Sequence, residues 1–168
     1  GYNSFGFTFT FLSQHFEEAF NLLTEVIREP SFDKEEMEKR RRLILASIQQ
    51  QEDDLGRLVF KLFRKTLYEK HPYRMDTLGT PDSIRRLTQK DLKEYYQRIV
   101  IPENMILTVV GDVDRKQVLE AVKKGFGDLK RESLRIPSIS QELPILKKRR
   151  AEIVKMKEQA HFVLGFLG

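Results

Sequence analysis

The chain has no cysteine among its 168 residues. That excludes disulfides and thiolate chemistry and leaves the redox compartment open. No apolar run approaches the roughly 18 residues that a membrane-spanning helix needs. The opening GYNSFGFTFTF lacks the basic head and apolar middle of a secretory signal. It also lacks an initiating Met and starts directly on a strand-like run, so the chain reads as cut from something longer. There is no low-complexity tract and no short internal repeat. Nor is there a strong charge excess: 30 Lys and Arg against 25 Asp and Glu leave a net charge of +5. The local basic runs are Arg40-Arg41-Arg42 and Lys147-Lys148-Arg149-Arg150. The first lies inside a helical pattern beside acids and the second borders a strand-like segment poor in aromatics. A nucleic-acid partner is therefore not expected.

What is present suits a globular domain with part of a second. Hydrophobic residues make up 40% and charged residues 33%, enough apolar material for a core at this length. From Ser4 to Leu12 the pattern alternates, with Phe5, Phe7, Phe9 and Phe11 on one face, and predicts a strand with a buried aromatic side. Ser13 is expected to cap a helix to about Glu29, ended by Pro30.

The longest helical pattern runs from Asp33 to Asp54. Asp33 and Glu36 have the spacing of a capping box, and Glu35 and Glu36 suit the positive end of the helix dipole. Met37, Ile44, Leu45 and Ile48 form its apolar stripe. Arg40 and Ser47, seven residues apart, share another face. Helix continues over Leu55–Tyr68, with Gly56 near a bend. Thr80-Pro81 and Thr88 each open a further helix. Met105 to Val110 reads as a central strand buried on both faces. Asp114 caps a helix to about Phe126. Residues 132–146 read as a linker, and 151–156 and 161–167 as two more strands.

Several of these pieces, in this order, resemble the pitrilysin/insulinase family of zinc metallopeptidases, which includes the mitochondrial processing peptidases. They are GYNSFGFTFTF, FKLFRKTLY, HPYRMDTLGTPDSIRRLT, DLKEYYQR, IPENMILTVVGDVD, GFGDL and KMKEQAHFVLGFLG. The resemblance implies an α+β unit, a mixed β-sheet with helices packed on one face, whose N-terminal part is missing here. It places that unit at residues 1–130, a linker at 131–147 and the first strands of a following domain at 148–168.

In the family, catalysis uses an inverted motif, His-x-x-Glu-His, whose histidines hold zinc and whose glutamate is the general base. A glutamate on a downstream helix completes the ligand set. The histidines here are His15, His71 and His161, and no two are close enough in sequence to build the motif. By alignment, Ser47 takes the place of the ligand glutamate, and Arg40 that of a second glutamate one heptad earlier. A hydroxyl is a poor zinc ligand and a guanidinium repels the cation. The chain is thus expected to be a non-catalytic half, with no catalytic or metal-binding residue of its own and zinc held only by a catalytic partner half, in cis or in trans.

Asn3, Ser4 and Phe5 match the family's edge strand, which pairs with an extended peptide substrate. His71 in His71-Pro72-Tyr73 reads as a loop anchor rather than an acid–base group. The alternatives are a catalytic half trimmed of its upstream motif and a structural subunit like the core proteins of respiratory complexes. The compact loops suggest a bacterial-type member, in periplasm or cytoplasm.

Overall fold

The computed structural model describes residues 4–130, 133 and 138–167. Its α-helices, in chain order, are α1 (Phe16–Arg28), α2 (Lys34–Asp53), α3 (Leu55–Leu67), α4 (Pro81–Arg86), α5 (Gln89–Ile99) and α6 (Arg115–Phe126). Short 3-10 turns occupy Ser13–His15, Pro72–Arg74 and Pro102–Asn104. The chain divides into two compact units, residues 1–33 with 88–136, and residues 34–87 with 137–168.

The expected mixed sheet is not seen: the described residues contain helices and 3-10 turns but no β-strand. Alternation along a segment supplies two faces, but a strand exists only through the hydrogen bonds it exchanges with a neighbour. No backbone–backbone bond joins residues 4–11 to 105–110 among the described residues. The aromatic side of residues 5–11 is accordingly not a core face, with Phe5 55% exposed. Residues 105–110 are not sandwiched either, since Ile106 is 96% and Val110 91% exposed. Residues 151–156 and 161–167 likewise form no ladder.

The first unit is built on the apolar stripe of α1. Phe16 and Phe20 are buried and stack with centroids 5.6 Å apart, and Phe126 of α6 meets Phe20 edge-on at 6.1 Å. The two helices approach closely because Gly125 has no side chain; a Cβ there would fall 2.7 Å from Thr24 Oγ1. The start of α1 departs from expectation. A 3-10 turn precedes it, and Leu12, not Ser13, is the residue flanking that turn, with no side-chain cap bond. α5 and α6 follow their signals: Thr88 and Asp91 form a reciprocal capping box, and Asp114 accepts from the N–H groups of Lys116 and Gln117.

In the second unit, Ile48 of α2 and Leu67 of α3 are buried. The long helical pattern breaks at Asp54, whose backbone is extended (φ −90°, ψ 101°) and whose carboxylate accepts from Arg57 N–H at 3.1 Å, starting α3. Such a side-chain acceptor satisfies a donor that the new helix leaves unpaired. α4 has a capping box between Thr80 and Ser83. Its other end is held from α2, where Arg41 donates to the carbonyls of Ile84 and of Leu87, the latter at 2.7 Å.

Candidate functional site

Two places bear on function, one in each unit. The first is a groove of about 1210 Å³ in the first unit. Its lining includes residues 4–11 and 105–113, with Phe16 and Phe20 of α1, Tyr95 and Ile99 of α5 and Phe126 of α6. Ser4 and Phe5 both line it; Asn3 lies outside the described residues. Phe5 contacts Phe7 (6.1 Å) and Tyr96 (6.4 Å) between ring centroids.

The helices that contribute to the groove are tied to one another by identifiable contacts. Tyr96 Oη donates to the Ile27 carbonyl at 2.8 Å, tying α5 to the end of α1. Burial raises the Tyr96 phenol above its ordinary value, because a phenolate there would lose water. Phe32 packs edge-on against Tyr96 at 5.4 Å, and its carbonyl accepts from Gln89 Nε2 at 2.6 Å. Arg28 forks onto Asp128 at 2.5 and 2.8 Å and also donates to Gly125 O at 2.7 Å. That hydrogen-bonded pair lowers the Asp128 carboxyl and raises the guanidinium.

The groove is apolar along its aromatic side and flanked by main chain not engaged in a ladder. Apolar hollows beside unpaired main chain are general features of sites for extended ligands. Of the lining residues 105–113, 105–110 were legible only as a buried strand. The exposed Ile106 and Val110 were therefore not read as part of a site.

The second place is the face of α2 that carries Arg40 and Ser47, which the structure puts in the same helix as expected. Both are exposed. The Ser47 hydroxyl donates to the Leu43 carbonyl one turn back at 2.9 Å, so it is engaged with its own helix. The histidines are apart. His15 lies beside Glu18 at 3.3 Å, and His161 is exposed. His71 Nδ1 accepts from Tyr73 N–H at 3.1 Å and caps the Pro72–Arg74 turn, an anchoring arrangement. Among the described residues no three His, Asp or Glu side chains gather as a metal site. A zinc ligand set requires three such groups around one point, so these residues do not fit zinc.

With this geometry in view, the comparisons with known proteins identify the family. The model of the family described as Insulinase (Peptidase family M16) matches residues 2–81, and that described as Peptidase M16 inactive domain matches residues 86–168. The chain belongs to the pitrilysin/insulinase, or M16, peptidase family.

It is similar to an uncharacterized zinc protease of Streptomyces coelicolor, 27% identical over 157 residues, which cover 89% of this chain and 34% of that protein. It is also similar to mitochondrial cytochrome b-c1 complex subunit 1 of Bos taurus, 27% identical over 118 residues, 70% of this chain and 25% of that one. Among solved structures, a peptidase M16 inactive domain from Pseudomonas fluorescens matches with TM-score 0.68 and 25% identity, over 77% of this chain and 31% of that chain. The chain thus spans a quarter to a third of the length of these relatives. No helix among the described residues is long and apolar enough to cross a membrane.

Proposed function

We propose that this chain is part of the non-catalytic half of an M16 peptidase, where it forms one wall of the peptide-binding chamber and pairs with a catalytic half on the same or a separate polypeptide. Residues 1–130 are the inactive unit, 131–147 the linker and 148–168 the opening of the next domain. The observation that carries this reading is the pair Arg40 and Ser47 on α2: an exposed cation and a hydroxyl bonded to Leu43 O stand where the resemblance places two glutamates. Zinc belongs to the partner half. An extended peptide lies along Asn3, Ser4 and Phe5, a role supported by the apolar groove that Ser4 and Phe5 line. No nucleic acid takes part.

The test is metal analysis of the intact peptidase in which this chain occurs. The expected result is one zinc per catalytic half, unchanged in the Arg40→Ala and Ser47→Ala variants. Loss of zinc in either variant, or a His-x-x-Glu-His motif on the same half, would instead identify a catalytic half. The likeness to cytochrome b-c1 complex subunit 1 favours a second reading, a structural subunit; a gene context without any active half would select it.

A further inference from the structure

The end of α3 and the turn after it present two opposite polarities within a few residues. The carbonyls of Thr66 and Leu67, at the negative end of the helix, have no continuing helix to donate to them. Three to five residues on, the N–H groups of Lys70 and His71 point the other way. One segment far along the chain answers both. Glu142 Oε1 accepts from Lys70 N–H and His71 N–H, each at 2.5 Å. Arg149 donates to Thr66 O at 3.3 Å and Leu67 O at 2.8 Å, and its guanidinium pairs with Glu69 at 2.7 Å. Glu69 O in turn accepts from Arg74 at 2.7 Å.

We propose that residues 138–150 form a strap fastened across the C-terminal end of α3, with Glu142 on backbone donors and Arg149 on backbone acceptors, and that its release frees residues 151–167 from this unit. The two fasteners run antiparallel to the chain they grip: the earlier strap residue holds the later turn, and the later one holds the helix end. A carboxylate on successive backbone N–H groups and a guanidinium on helix-terminal carbonyls are both charge-assisted contacts, stronger than neutral ones. The hydrogen bond from His71 N–H lowers the Glu142 carboxyl, with that from Lys70 and the charge of Arg149 acting in the same direction. Pro144, between the fasteners, restricts the strap's backbone. Beyond the strap, Gly165 lies against Phe63 of α3, so closely that a Cβ there would fall 2.5 Å from the ring. The strap thus precedes, along the chain, this second contact of the 151–167 segment with α3.

The experiment compares the chain with Glu142→Gln, Arg149→Met, the double variant and Arg149→Lys, which retains the charge but not the fork. Two readouts are followed near neutral pH: amide exchange at Lys70 and His71, and tryptic cleavage at Lys147, Lys148 and Arg150 relative to cleavage at Lys123 and Lys124. The expected result is protected Lys70 and His71 amides in the parent chain. Each single neutralising variant raises strap cleavage at least about fivefold, as opening controls proteolysis. The double variant adds little, because one lost fastener already opens the strap, and Arg149→Lys falls between. Unprotected Lys70 and His71 amides in the parent, or strap cleavage that rises only in step with cleavage at Lys123 and Lys124, would overturn the proposal. None of these readouts depends on zinc or on a partner half, so a failure here is separate from a failure of the functional reading.

Discussion

The Ser47 hydroxyl donates to the Leu43 carbonyl at 2.9 Å on the exposed side of α2. A serine so bonded has committed its one donor to its own helix, and such a back-bond slightly disfavours a helix. Ser47→Ala should therefore leave stability within about 0.5 kcal/mol or raise it, given alanine's higher helix propensity. Thermal unfolding followed by circular dichroism measures this; a loss above about 1 kcal/mol would mean that Ser47 has a partner other than its own helix.

Tyr96 supports the groove through its bond to Ile27 O. Removing only the hydroxyl, Tyr96→Phe, leaves that carbonyl without its donor and should cost about 1 kcal/mol. The phenol also carries a pH signature. Its folded-state value is raised by burial, so the neutral form contributes fully below the unfolded value near 10. That contribution is lost as pH rises toward and through the folded value. Urea unfolding between about pH 9 and 11 should show stability falling in the parent and a flatter profile in Tyr96→Phe.

Arg41 has a side chain only 14% exposed and serves two carbonyls at the end of α4, Ile84 O and Leu87 O. Arg41→Met keeps much of the apolar stem but leaves both acceptors unpaired. The expected loss is about 1–3 kcal/mol, with amide exchange rising first in α4. Arg42→Met, one residue on and exposed, is the control and should change little.

The bidentate bond from Arg28 holds the Asp128 carboxyl below its ordinary value. Its stabilising contribution is present above the unfolded value near 3.9 and disappears as pH falls through the folded value. Asp128→Asn should thus weaken the chain at neutral pH and make acid unfolding less steep. Asp128 is largely and the Arg28 side chain partly solvent-exposed, so added salt should shrink the difference between parent and variant.

The helices were legible because their ends carry local chemistry. Thr88 before Gln89 and Asp114 before Arg115 mark starts that the structure reproduces. Glu29 before Pro30 marks an end. The bend sought at Gly56 falls at Asp54, since a side-chain cap, not a flexible residue, starts α3. The expected sheet, which the described residues do not form, rested on a different kind of signal. Alternation in Phe5–Phe11 and the apolar run at 105–110 state a preference for pairing, but pairing is a property of two segments. In the described residues those segments face one groove without exchanging backbone bonds. The site residues divide similarly: Arg40 and Ser47 share a helix face because helical spacing is local, while residues that line the groove along with Ser4 and Phe5 come from about 100 residues further on and have no local signal.

The most direct test of the non-catalytic assignment is hydrolysis of a generic unstructured peptide by the purified chain with added zinc, with and without a chelator. The account predicts no cleavage above buffer in either condition, and activity only when a half bearing His-x-x-Glu-His is supplied. Chelator-sensitive cleavage by the chain alone would contradict it.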